Sequence, residues 1–186
     1  MKRGLSLISR RGAGLKEFVE RFRTLAPNRE LNPSETNLSE LLSATALLMK
    51  PEFDRRSIKL MLDIPPTPIV ANLDSTLMEQ VIVNLLKNAL EATHHNVGIV
   101  KLWLTQNLQA NEIQFGIDDN GDGIPKEDQE KIFIPFYTTK KNGSGIGLTF
   151  SRLIINRHGG NLNVWSEPGK GTRFYGTIPG NGINNI

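Results

Sequence analysis

The chain contains no cysteine. That excludes disulfide staples and thiolate metal sites, and it fits a reducing, cytoplasmic setting. Nor is there an apolar run long enough to span a membrane, and the basic start Met1-Lys2-Arg3 is not followed by the continuous apolar stretch of a secretory leader. Histidine is scarce, and its three copies lack metal-ligand spacing. His94 and His95 stand in a polar stretch and read as surface residues, whereas His158 precedes a glycine pair and reads as a helix end. A surplus of acidic charge is missing too: the isoelectric point is 9.3. The basicity is local, however. Residues 1–23 carry seven basic groups against two acidic ones, a net of +5, while the whole chain is +3, so the remainder is near −2. One solvated helix face accounts for this better than a nucleic-acid footprint, and no nucleic-acid partner is expected.

What is present suits one well-cored domain with a short appendage: 186 residues, 38% hydrophobic and 22% charged. Residues 5–25 place Leu5, Ile8, Leu15, Val19, Phe22 and Leu25 on one helical stripe, ended by Ala26-Pro27. A loop with Pro27, Asn28, Asn32 and Pro33 follows and marks a boundary. Asn37 or Ser39 can cap a second helix, with Leu38, Leu41, Leu42, Ala46 and Met49 inward and Pro51 as its stop. Strands are expected over 57–64, 69–71, 97–106, 112–118, 162–165 and 172–178. Long helices are expected from Asp74 to Ala92 and from Gly145 to His158. The turns at 107–111 and 167–171 make hairpins of the later strands. The expected fold is therefore α+β, a mixed and mostly antiparallel sheet with helices on one face.

Two glycine-rich turns flank an aromatic segment between Asp118 and Leu148. Asp119-Asn120-Gly121-Asp122-Gly123 ends a strand, where glycine admits positive φ and close approach to the main chain. Gly143-Ser144-Gly145-Ile146-Gly147 opens a helix, whose free N–H groups favour an anion. Such turns also serve simply to close loops, and this spacing is neither a Walker loop nor a Rossmann fingerprint. Upstream, Asn84 and Asn88 share one helix face despite asparagine's poor helix propensity. They are either solvated or hydrogen-bonded to a loop, or their amide oxygens hold a hard cation together with phosphate.

Taken together, these segments resemble the sensor histidine kinases of two-component systems. Asn84-Leu-Leu-Lys-Asn88-Ala-Leu-Glu-Ala92 is similar to their N box, and Asp119-Asn-Gly-Asp-Gly123 to their first glycine box. Ile132-Phe-Ile-Pro-Phe136-Tyr-Thr-Thr-Lys140 is similar to the F box, and Gly143-Ser-Gly-Ile-Gly147-Leu148 to the second glycine box. The resemblance runs on through His158-Gly-Gly160 and Gly169-Lys-Gly171-Thr172, and the short stretch after Phe136 is like the small lid of the nitrogen-regulation type. It implies the two-layer Bergerat (GHKL) sandwich over residues 37–180, followed by a tail at 181–186. Residues 1–26 resemble the second helix of the dimerisation and phosphotransfer domain, joined by a linker at 27–36. That domain's first helix, bearing the phosphoacceptor histidine, has no counterpart here.

The resemblance implies ATP and Mg²⁺ as cofactors, with roles for particular residues. Asp119 would accept a hydrogen bond from the adenine amino group, in a turn shaped by Gly121 and Gly123. Asn88 would ligate Mg²⁺ with Asn84 beside it. Ile117, Ile124, Phe133 and Leu148 would wall the base, or equally serve as plain core, and Thr172 would line the same site. Thr139, Lys140 and Lys141 of the lid, with Ser144 and the N–H groups of Gly143, Gly145, Ile146 and Gly147, would meet phosphates. The implied partners are a phosphoacceptor histidine domain, a downstream response regulator, and a second copy joined through the dimerisation domain. Two alternatives stay open: a GHKL hydrolase, which uses a glutamate where this chain has Asn84, and a nucleotide-binding regulator without turnover.

Overall fold

A computed structural model describes residues 31–140 and 143–180. The basic segment 1–26, Lys141 and the 181–186 tail lie outside the described residues. Chain order gives β1 (Ser34–Asn37), α1 (Leu38–Arg55), β2 (Lys59–Asp63), β3 (Val70–Leu73), α2 (Ser75–Ala92), β4 (Ile99–Asn107) and β5 (Glu112–Asp119). Then come the short α3 (Lys126–Gln129), a 3₁₀ turn (Lys131–Phe133), α4 (Gly147–Arg157), β6 (Asn161–Glu167) and β7 (Gly171–Pro179).

The main sheet has the order β2-β4-β5-β7-β6, with β2 parallel to β4 and every other pair antiparallel. Alternation along the strands gives it one apolar face. Val100, Leu102 and Leu104 of β4, Ile113, Phe115 and Ile117 of β5, and Phe174 and Ile178 of β7 are all buried. Against them lie Leu38, Leu42, Ala46, Met49 and Phe53 of α1, Met78, Val81, Ile82, Leu85, Leu86 and Ala89 of α2, and Phe150, Ile154 and Ile155 of α4. The result is the expected two-layer sandwich with helices on one face. Phe115 lies over its cross-strand partner Gly176, where a Cβ would stand 2.4 Å from its ring, so that position leaves no room for a side chain.

Local chemistry sets the helix ends. Asn37, not Ser39, caps α1, its side chain accepting from Glu40 N–H, while Ser39 Oγ accepts from Ile69 N–H. Asp74 caps α2 through Leu77 N–H, as expected. Gly159, at φ 75°, and a bond from Gly160 N–H to Ile155 O end α4.

Three sequence expectations are corrected. Pro51 does not stop α1, which runs to Arg55. The carbonyl that Pro51 leaves unpaired is that of Leu47, on the exposed side, and Phe53 beyond it is fully buried, so burial outweighs the lost bond. The end of the 27–36 linker is not loop: Ser34–Asn37 forms a strand antiparallel to β3, with Asn37 opposite Val70. Finally, α3 and the 3₁₀ turn were not anticipated, being too short to show a periodicity.

Candidate functional site

A cavity of about 630 Å³ opens between α2, the end of β5 and residues 137–140 and 143–147. Its polar floor is Asp119, the last residue of β5, opposite Thr172 on β7. Asp119 is only 8% exposed. Its Oδ1 accepts Gly121 N–H at 2.9 Å, and the Thr172 amide also donates to its carboxylate. Burial nevertheless dominates, pushing its carboxyl from 3.8 up to about 6 against the lowering effect of those two amides.

The turn after Asp119 is stitched down on both sides. Asn120 accepts Ile99 N–H through Oδ1 and donates to Val97 O. Gly123, at φ 73°, passes so close to the β6–β7 hairpin that a Cβ would lie 2.2 Å from Glu167 O. Ile124 N–H donates to Ser166 Oγ, and Gln129 Nε2 donates to both Ile124 O and Ser166 O. This network holds half-buried Ile124 as one wall of the cavity.

The second side is α2. Asn84 and Asn88 sit one turn apart, with Lys87 and Glu91 on the same lining. Asn84 Nδ2 donates to Ser151 Oγ of α4 at 2.9 Å, and Gly147 leaves room for its carbonyl, since a Cβ there would stand 2.2 Å from Oδ1. Asn88 Oδ1 accepts Lys140 Nζ at 2.8 Å. The third side begins and ends at one point: Phe136, at φ 67°, donates its N–H to the carbonyl of Gly145, at φ 69°. Between these feet Tyr137 OH donates to Asp128 Oδ1 at 2.5 Å, which holds the Asp128 carboxyl below and the Tyr137 hydroxyl above their ordinary ranges. α4 then starts at Gly147 with no side chain capping its first turn, so its N–H groups face the cavity uncovered.

Of the residues singled out in the sequence, thirteen line this one cavity: Asn84, Asn88, Asp119, Gly123, Ile124, Thr139, Lys140, Gly143, Ser144, Gly145, Gly147, Leu148 and Thr172. Four others lie outside the lining. Gly121 backs the floor, where a Cβ would meet Ala92 O at 2.3 Å. Ile117 and Ile146 are fully buried in the core. Phe133 is buried with the Arg152 guanidinium 3.5 Å from its ring centre, so α4 takes up the face expected to wall a base. Sequence reasoning did not assign a role to Glu91, Asp128, Gln129, Tyr137 or Ser166. Glu91 alone left a signal, standing three residues after Asn88 on the same helix face.

His94 and His95 are exposed, as expected, and His94 Nε2 meets Asp122 Oδ1 at 2.8 Å. His158 is buried, with Nδ1 donating to Ile154 O and Nε2 accepting Asp74 N–H, and burial lowers its pKa below 6.5. It ties the end of α4 to the start of α2.

An antiparallel-rich sheet backed by helices, with a polar strand end, paired asparagines and an uncapped helix N-terminus around one cavity, defines a nucleotide-binding catalytic domain. The chain belongs to the family described as histidine kinase-, DNA gyrase B-, and HSP90-like ATPase, whose sequence profile matches residues 73–181. Within that family its relatives are sensor kinases. It is 36% identical over 153 residues to the adaptive-response sensory kinase SasA of Prochlorococcus marinus (strain MIT 9313), a match covering 80% of this chain and 41% of the relative. It is 30% identical over 182 residues to the signal transduction histidine-protein kinase AtoS of Escherichia coli (strain K12), covering 97% and 29%. The chain thus spans well under half the length of these relatives. The catalytic domain of histidine kinase ThkA superposes with a TM-score of 0.73 at 32% identity, covering 82% of this chain and 97% of that one. Full-length ShkA in complex with AMPPNP superposes with 0.77 at 25% identity, covering 90% and 35%. The chain is a histidine-kinase-type ATP-binding catalytic domain with the Bergerat sandwich.

Proposed function

We propose that this chain supplies the ATP-binding, phosphoryl-donating half of a cytoplasmic sensor histidine kinase, and that its acceptor histidine is carried by a separate helical domain. The observation that carries this reading is the convergence of Asp119, Asn88 and the uncapped start of α4 on one cavity. The ionised Asp119 carboxylate accepts from the exocyclic amino group of adenine at one end. At the other, α4 N–H groups and Ser144 receive phosphate oxygens.

The residues present also fit Mg²⁺. Asn88 Oδ1 already accepts from a cation, the ammonium of Lys140. Among the described residues no group of three or more His, Asp or Glu side chains converges as a metal cage. That suits an ion that takes an amide oxygen, waters and nucleotide phosphates as ligands. When bound, the ion would neutralise charge on the phosphates; positioning is the protein's share. Asn84 contributes no base. Its amide cannot take a proton from water, and its Nδ2 is committed to Ser151, which disfavours a hydrolase.

None of the chain's own histidines suits the acceptor role. His158 is 2% exposed with both ring nitrogens engaged, and His94 and His95 lie in the turn that follows α2. A response regulator then takes the phosphoryl group from the acceptor domain. One solved relative, ThkA, has been captured with its response regulator TrrA, at a TM-score of 0.75 and 28% identity to this chain. We further assign residues 1–26 to the end of the dimerisation and phosphotransfer domain and 37–180 to the catalytic domain.

The test is incubation with γ-labelled ATP and Mg²⁺, alone and with a separately expressed helical domain bearing the acceptor histidine. Acid-labile label should appear only on the added domain. Label on this chain alone would overturn the proposal.

A further inference from the structure

We infer that Glu91 is a positioning residue that parks the lid lysine, Lys140, on the metal-binding oxygen of Asn88, so that Lys140 and a divalent cation compete for one atom. The inference rests on reading the cavity as a Mg²⁺–ATP site. Lys140 Nζ donates to Asn88 Oδ1 at 2.8 Å and to Glu91 Oε2 at 2.5 Å. Asn88 and Glu91 are three residues apart on α2 and present one face, whereas Lys140 reaches them from the far side of the cavity, 52 and 49 positions along the chain.

The two occupants exclude each other for geometric and electrostatic reasons. A magnesium ion takes an oxygen ligand at about 2.0–2.1 Å. An ammonium held 2.8 Å from that oxygen would face the ion at close range, and two cations there repel. Asn88 Oδ1 has no negative charge with which to bridge them. Arrival of the ion therefore requires Lys140 to leave. Glu91 sets how readily it leaves, because its carboxylate is in direct ion-pair contact with Lys140, whereas the Asp119 carboxylate acts on that ammonium only at longer range.

The latch is built to be weak. Lys140 and Glu91 side chains are 40% and 48% exposed, and such pairs contribute little when solvated. Among the described residues the lid's other attachments are few: Tyr137 OH donates to Asp128 Oδ1 near its first foot, and within the segment Lys140 N–H donates to Thr138 Oγ1 and Gly143 N–H to Lys140 O. Displaced from Asn88, the ammonium stays on a segment anchored at Phe136 and Gly145, at the margin of the phosphate end. One exchange thus clears the metal ligand and frees a cation to face the incoming phosphates.

A fraction of molecules held by the latch lowers the apparent affinity for metal-nucleotide by that fraction. Calorimetric titration of ATP over a series of Mg²⁺ concentrations, and in chelator, reads this directly. Glu91→Gln should lower the Mg²⁺ concentration at half-effect by about two- to five-fold, the range expected for a solvated ion pair. In a Lys140→Ala background the same Glu91→Gln change should produce no lowering, because the competitor is gone. Both side chains are on the surface, and the melting temperature of each variant checks that the fold is intact. Equal shifts in the two backgrounds, or no shift with Lys140 present, overturn the latch while leaving Mg²⁺-dependent ATP binding standing. Failure of the parent chain to bind ATP in either medium overturns the latch and the reading beneath it together.

Discussion

Replacing Asp119 by asparagine should make the domain more stable and its nucleotide affinity lower. The carboxyl sits at the end of β5, 8% exposed, and its pKa stands at about 6 instead of 3.8 because burial penalises the charge. At ~1.4 kcal/mol per pH unit that displacement corresponds to at most roughly 3 kcal/mol of strain in the ionised native state at neutral pH. The folded chain binds this proton more tightly than the unfolded chain does. Stability therefore falls as pH rises from about 3.8 to about 6, and the full cost is present above that. An amide resembles the protonated acid and escapes the cost, while its one oxygen can still accept Gly121 N–H. Urea denaturation should show the variant more stable by up to about 3 kcal/mol near neutral pH, or roughly 6–12 °C in Tm for a domain of this size. The gain should shrink to nothing below about pH 4, where the native carboxyl is itself protonated. ATP affinity should fall by about ten- to a hundred-fold or more, the loss of a charge-assisted hydrogen bond worth roughly 1.5–3 kcal/mol. A variant that is less stable near neutral pH, or whose gain persists unchanged in acid, would refute the desolvation argument. Unchanged ATP affinity by calorimetry would refute the role assigned to Asp119.

Other predictions concern the rest of the site and its supports. Asn88→Ala should remove the Mg²⁺ dependence of ATP affinity, and an unchanged Mg²⁺ titration would exclude Asn88 as a ligand. His158→Ala should destabilise the fold by roughly 2–4 kcal/mol, because Asp74 N–H and Ile154 O lose their buried partner; urea unfolding near neutral pH measures this. Since burial lowers the native pKa of His158, its contribution is full above about pH 6.5 and declines as pH falls through the native pKa. The cost of the substitution should shrink in acid accordingly. Backbone amides between Tyr137 and Gly145 should gain hydrogen-exchange protection on adding ATP and Mg²⁺, because that segment closes on the phosphates; equal protection in both states would count against a moving lid.

Period and punctuation alone were enough to place most of this fold. The apolar alternation of Val100 to Leu104 and Ile113 to Ile117 defined two strands, the Asn107 turn joined them as a hairpin, the Gly169 turn marked a second hairpin, and Asp74 announced its helix. Each of these is a local preference that tertiary packing reinforces. The resemblance to the sensor kinases in turn drew Asn84, Asp119 and Ser144 toward one site before any geometry was known. Tertiary structure decided what local preference could not. Pro51 reads as a helix stop, yet the burial of Phe53 in the core two residues further on carries α1 past it. Ser34 to Thr36 read as linker, because their strand exists only through pairing with β3 across some 35 residues. Phe133 reads equally as a wall for the base or as core, and only the fold brings Arg152 of α4 over its ring. Lys140 reads as a phosphate ligand in a solvated loop, and nothing local ties it to Asn88 and Glu91 about fifty residues earlier. A sequence displays helical and strand periods because they depend on neighbours within a few residues. Which side chain meets which across the cavity depends on where the chain returns, and only the closed sandwich sets that.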